Sequence, residues 1–146
     1  MNLSELIRQK PDASMLDLWL AKIPFAAHLG MRAQVLGEEI LFVLPANDTL
    51  IGNPMLPAVH GGVVGGFMEQ AAVLHLIARM DQPAVPKTIN FSLDYLRPTR
   101  LQDTFAQCEV TRQGRQVANV AITAWQTARD EPCATARAHF LIPGTE

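Results

Sequence analysis

The sequence predicts an α+β fold: one long central helix wrapped by a curved antiparallel sheet, with a short N-terminal helix. Three observations carry this. Residues 61–80 have the length of a helix but are apolar on nearly every side, a pattern that belongs to a helix surrounded by protein. Four strand-like stretches follow it with no second helical pattern among them, and two more precede it on either side of a glycine. An antiparallel sheet curled round one apolar helix buries that helix and accounts for strands that are half polar.

Taken in order, SMLDLWLAKI (14–23) places apolar residues at helical spacing behind a candidate cap, Ser14, and Pro24 marks its end. HLGMRAQVLG and EEILFVLPA read as two strands about a turn at Gly37. NDTLIGNPMLPAV (47–59) is rich in turn formers and reads as a loop leading to His60. Gly62, Gly65 and Gly66 are poor helix formers, so in the central helix they signal close approach of another backbone or a ligand. DQPAVP breaks the chain. KTINFSLDYL then alternates apolar Ile89, Phe91, Leu93 and Tyr95 with polar residues, which predicts one buried face. DTFAQCEVTR and QVANVAITAWQTA flank a tight turn at Gln113-Gly114, and CATARAHFLI is the last strand.

A chain of 146 residues is expected to form one domain, residues 1–146. Its 49% hydrophobic and 18% charged residues describe a folded globule lean in charge, one suited to burying surface against copies of itself. A net charge of −2 gives no general reason to bind nucleic acid, so a ligand with phosphates needs a local basic patch. Cys108 and Cys133 have no CxxC spacing and read as reduced thiols, and MNLSELIRQKPDAS lacks the form of a signal peptide. Residues 56–78 contain four glycines, two histidines and Glu69, a poor membrane span. A cytoplasmic protein without membrane or nucleic-acid partners is the expectation.

An ionised carboxylate in so apolar a helix needs a reason, since burying it unpaired is strongly unfavourable. His60 stands at the junction of loop and helix, followed by Gly61 and Gly62. The first N–H groups of a helix lack internal partners and carry the positive end of its dipole. Glycine there lets a carbonyl oxygen approach them, the physical requirement of an oxyanion hole. Glu69 lies nine residues beyond His60, about two and a half turns along the helix, and a second subunit facing this one could place its own glycine turn opposite the carboxylate. His60, His75 and His139 lack the spacing of a zinc site, and no phosphate-loop or dinucleotide glycine motif occurs.

LPAVHGGVVGGFMEQAA, with IPFAAHLGMRA before it and INFSLDYLRPTR and RQGRQVANVAITAWQ after it, is similar to the PaaI-type acyl-CoA thioesterases of the hotdog-fold superfamily. The resemblance implies hydrolysis of an acyl-CoA thioester without metal or redox cofactor, at a site shared in a homodimer or dimer of dimers. By position it makes Glu69 the general base or nucleophile, Gly61 the residue whose N–H polarises the carbonyl, and His60 the histidine before it. The amide side chain six residues before that histidine is replaced by Pro54, and the nearest amide is Asn53. Coenzyme A phosphates need cations: Arg97 and Arg100 end one strand, and Arg112 and Arg115 flank the Gln113-Gly114 turn, with Gly62 adding a backbone donor.

Two alternatives stand beside this reading. A hotdog hydratase or dehydratase uses a loop histidine against the helical acid, and NDTLIGN supplies none. A non-catalytic acyl-CoA binding protein would keep the pocket without the chemistry, a reading to which Pro54 lends weight.

Overall fold

The computed structural model describes residues 5–6, 8–9, 13–80 and 84–144. The first half of DQPAVP and much of the polar N-terminal stretch lie outside the described residues. Helix α1 (Ala13–Lys22) buries Leu16, Trp19 and Leu20 at helical spacing. It starts one residue before Ser14, which therefore sits inside the first turn and is not its cap.

Pro24 both ends α1 and opens a second helix, α2 (Pro24–Leu29), where its fixed φ suits the first position and its missing N–H is not needed. Gly30, at φ 70, closes α2 in the left-handed conformation. The strand expected from His28 consequently starts only after that cap: β1 is Arg32–Leu36. It pairs with β2 (Glu39–Leu44) across a turn containing Gly37, at φ 65. Asp17 accepts a hydrogen bond from the Ala33 N–H at 3.1 Å and faces the Arg32 guanidinium at 3.6 Å, which ties α1 to β1.

The segment read as a plain loop holds a 3-10 turn (Asp48–Leu50) capped by the Asn47 side chain. After it comes a small antiparallel pair, β3 (Ile51–Asn53) with β4 (Ala58–Val59). The long helix α3 (Gly61–Arg79) follows immediately. Its 19 residues and mean hydropathy of 1.3 are enough by length and composition to cross a membrane. Here the same apolarity packs Val64, Phe67, Met68, Ala71 and Leu74 into the core.

Strands β5 (Lys87–Tyr95), β6 (Thr104–Gln113), β7 (Val117–Trp125) and β8 (Ala134–Leu141) complete a six-stranded antiparallel sheet of order β1-β2-β6-β7-β8-β5. Its inner face is dominated by small side chains, Ala118, Ala124, Ala134, Ala136 and Ala138, so the bulky residues of α3 can lie close against it. This is the hotdog fold: one long helix held against a curved antiparallel sheet.

Two expectations need correction. The turn between β6 and β7 is centred on Arg115-Gln116: Gln113 pairs with Ala118, and the Gly114 N–H donates to the Val117 carbonyl at 2.8 Å, which leaves Arg115 and Gln116 as the loop between them. β5 does not bury a whole face either. Phe91 and Leu93 are half-buried while Ile89 and Tyr95 are 57% and 58% exposed, since β5 is an edge strand only partly covered by the helix. The ladder between β2 and β6 is also short, running only from Phe42↔Ala106 to Leu44↔Thr104.

Candidate active site

β4 delivers the chain to His60, whose N–H donates to the Leu50 carbonyl at 2.9 Å. Gly52 lies directly beneath it: a Cβ at position 52 would come within 2.6 Å of the His60 Cα. Only a bare backbone fits there. His60 then caps α3, its Nδ1 accepting from the Gly62 N–H at 2.9 Å and its carbonyl accepting from the Val63 and Val64 N–H groups. With Nδ1 used as an acceptor, the ring proton of neutral His60 belongs on Nε2. Gly62 is a glycine because a Cβ would meet that Nδ1 at 3.0 Å.

The Gly61 N–H is left without an acceptor among the described residues, at the positive end of a 19-residue helix. The carbonyl of Gly61 accepts from the Tyr95 hydroxyl at 2.7 Å. Of the groups that the sequence singled out here, the His60 ring and the Gly62 N–H are engaged with each other, and the Gly61 N–H has no acceptor among the described residues.

Glu69 is half-buried and has no hydrogen-bond or ion-pair partner among the described residues. Gly62, Gly66, Glu69 and Val73 recur at intervals of four, three and four residues and share one face of α3. The other two glycines are explained by side chains of this chain, where a backbone or ligand was expected. Gly65 faces Leu93 and Phe91, and Gly66 receives the ring of Phe25, whose Cζ would lie 2.7 Å from an added Cβ. Along the helix axis Glu69 stands about 12 Å from Gly61. One copy therefore does not bring the carboxylate and the free N–H to a common carbon.

The remaining candidates are spread over the molecule. Asn53 ends β3, and its side-chain oxygen accepts from the Met55 N–H at 3.0 Å, closing the β3–β4 loop. Arg100 donates to the Leu56 carbonyl at 2.8 Å while Gln126 brackets its main chain, so it secures the same loop. Arg97 faces Glu131 at 3.9 Å, an exposed and weak pair. These three lie at the Gly61 end of the molecule. Arg112 and Arg115 do not: Tyr95 pairs with Ala134, Leu141 with Val117, and Ala118 with Gln113, which sets their hairpin at the opposite end of the sheet. Within one protomer the two groups are separated by a strand length, on the order of 25 Å.

Sequence reasoning missed Tyr95 and Gly52 as parts of this site. Tyr95 was absorbed into the alternation of β5; its place at the end of the strand, with a polar tip on an amphipathic ring, is the signal that separates it from Phe91 and Leu93. Nothing in the spacing of Gly52 marks it. Leu50, Phe67, Met68 and Leu74 are core residues, and Met55 is 90% exposed. Cavities of about 450 Å³ lie on the outer face of the sheet around Arg137, and none of the candidate residues lines them. Among the described residues no three His, Cys, Asp or Glu side chains group as metal ligands do.

The family model described as the acyl-CoA thioesterase N-terminal domain matches residues 52–141. A solved structure from Chromobacterium violaceum is 42% identical, with a TM-score of 0.74 over 99% of this chain and 98% of that one. A thioesterase from Haemophilus influenzae shares the fold at 18% identity, with a TM-score of 0.82 over 94% of each chain. A Bacillus halodurans protein solved with CoA does so at 18% identity, with a TM-score of 0.72 over 88% of this chain and 80% of its own. No curated protein matches the chain.

Proposed function

The chain belongs to the acyl-CoA thioesterase family and has the hotdog fold, and from that premise we propose that it hydrolyses an acyl-CoA thioester to a free acid and coenzyme A. The observation that carries this reading is a pair of unused groups: the Gly61 N–H at a helix N-terminus and the half-buried Glu69 on the same helix, neither with a partner among the described residues.

The thioester carbonyl oxygen accepts from the Gly61 N–H, which favours the negative charge that develops on it. Glu69 takes a proton from water as the water oxygen adds to the carbonyl carbon. Collapse breaks the C–S bond, and the departing thiolate is protonated. Alternatively, a Glu69 oxygen adds first and expels the thiolate, and water then cleaves the resulting anhydride. A single turnover in ¹⁸O-water tests the second route: label in the Glu69 carboxylate establishes an anhydride cleaved by water at the Glu69 carbon, since the first route puts label only in the product acid.

The distance between Glu69 and Gly61 supports a homodimer. β5 has a free edge, and antiparallel pairing of two such edges about a twofold axis turns the second copy end for end. Glu69 of the second copy then moves toward this protomer's Gly61. The Arg112/Arg115 hairpin of that copy comes to the same end as Arg97 and Arg100, where Gly62 and these cations would meet the coenzyme A phosphates. Two such dimers give the dimer of dimers. Residues 1–146 act as one domain in this reading, in the cytoplasm, where the free thiols of Cys108 and Cys133 are stable. The neighbour solved with CoA supports the choice of substrate handle.

Thiol release from a panel of aliphatic and aromatic acyl-CoA substrates tests the reading. Turnover should fall a hundredfold or more in Glu69→Gln with an unchanged Tm. Binding of CoA without thiol release from any substrate would instead establish a non-catalytic binding protein. Light scattering that shows only monomer while activity persists would remove the shared site.

A further inference from the structure

A glycine pair at the start of α3 meets one need and creates another. Side chains at positions 61 and 62 would collide with the Tyr95 hydroxyl and the His60 ring, yet glycine is the residue whose backbone is least restrained. A donor that stabilises developing charge is effective only if its direction is already set. Something else must hold this turn.

Two hydrogen bonds do so. The Tyr95 hydroxyl donates to the Gly61 carbonyl at 2.7 Å, and the Gly62 N–H donates to His60 Nδ1 at 2.9 Å. The Gly61 carbonyl and the Gly62 N–H are opposite ends of a single planar peptide unit. That unit is therefore gripped from both sides, by β5 at one atom and by the helix cap at the other. The preceding unit is held at its carbonyl, where His60 accepts from Val63 and Val64. Between these fixed planes lies the Gly61 N–H, which has no acceptor among the described residues.

We propose that Tyr95 is a positioning residue of the reaction, acting through the Gly61–Gly62 peptide to aim the Gly61 N–H at the thioester carbonyl. The inference rests on the thioesterase reading given above. Tyr95 also fits the role sterically: its oxygen lies 3.1 Å from where a Gly61 Cβ would be, so hydroxyl and glycine occupy one tight contact. The side chain comes from the edge strand, so the same strand that offers an edge to a second copy fixes the donor of the first. That couples the geometry of the oxyanion site to the seating of β5.

The test compares two variants with the same aromatic ring. Tyr95→Phe removes only the hydroxyl and is expected to lower kcat about tenfold while KM stays within twofold. Tyr95→p-aminophenylalanine keeps a para donor and should return kcat to within about threefold of the parent. Because both keep the ring, any shared loss of Tm cancels in their comparison. Amide exchange gives a readout independent of turnover: the Gly62 amide should exchange at least several-fold faster in Tyr95→Phe, although its own acceptor, His60, is untouched. An unchanged kcat in Tyr95→Phe overturns the proposal, as does a change confined to KM, which would mean direct contact with substrate. If the parent protein hydrolyses no thioester, the thioesterase reading fails, and the exchange measurement still decides whether Tyr95 holds this peptide.

Discussion

His60 and His75 sit on the same helix, one capping its start and one in its penultimate turn, and they have almost nothing else in common. His60 is exposed, and its Nδ1 is occupied by the Gly62 N–H. His75 is buried, and its Nδ1 has no partner among the described residues. Burial, with the Arg79 charge adding to it, lowers the pKa of His75 to about 4. The first belongs to an open polar turn built from glycines; the second belongs to the core beside Ile40 and Cys108, where burial likewise pushes the thiol up. What distinguishes a capping histidine from a packed one is the company of residues with no side chain, because they let its ring nitrogen reach the backbone.

The largest effect that can break this contrast comes from the residue beneath His60. Gly52→Val drives a side chain into the His60 Cα, so turnover should fall about a hundredfold or more and Tm should drop by several degrees. Steady-state kinetics with thermal unfolding would show both, and a variant active at the parent level would mean that His60 needs no such seat.

Next in size is His60→Ala. Removal of the cap leaves the Gly62 N–H unpaired, and kcat should fall tenfold to about a hundredfold with only a small loss in Tm. His75→Leu should leave kcat within about twofold of the parent, and equal losses in the two variants would erase the distinction between the histidines.

His75→Leu has a second expected outcome, in acid. The folded pKa of His75 lies below the ordinary 6.5, so the unfolded chain binds the proton first as pH falls. Stability is present above pH 6.5, is lost between 6.5 and about 4, and is flat below that for this group. The loss is about 3 kcal/mol at most. Urea unfolding at several pH values should show a shallower decline in His75→Leu.

The smallest effects concern the arginines. Arg97→Ala and the Arg112→Ala/Arg115→Ala pair should each raise KM for acyl-CoA by about threefold to tenfold, with kcat little changed. A truncated thioester without the nucleotide should be insensitive to them. Arg100→Ala should raise KM for both substrates, because Arg100 also holds the Leu56 carbonyl in the loop before His60.

Most of the architecture was legible because it is carried by periodicity. The all-round apolarity of residues 61–80 and the alternation after them report burial directly, and the structure has one helix against a sheet. Local punctuation was less legible. Pro24 signals a stop equally well whether the chain leaves the helix or starts another, and the turn's centre lies two residues beyond Gln113-Gly114 because strand pairing extends to Gly114 and Val117 and leaves Arg115-Gln116 between them. Alternation in β5 identified two faces but not how far the helix covers one of them, so Ile89 and Tyr95 were placed too deep. Glu69, His60 and Gly61 stood out by being polar or bare in apolar surroundings. Gly52 and Tyr95 act through contacts of long sequence separation, which spacing along the chain does not encode.

The short ladder between β2 and β6 has a consequence for how the molecule breathes. β1 and β2 are fully paired with each other, but they join the rest of the sheet only from Phe42 to Leu44. β6, β7, β8 and β5 are bonded along nearly their whole lengths. The β1–β2 hairpin is accordingly expected to open at lower free energy than the four strands behind α3. Its amides from Glu39 to Leu41 should lose protection first, while the strands that carry Tyr95 and the floor of the helix stay closed.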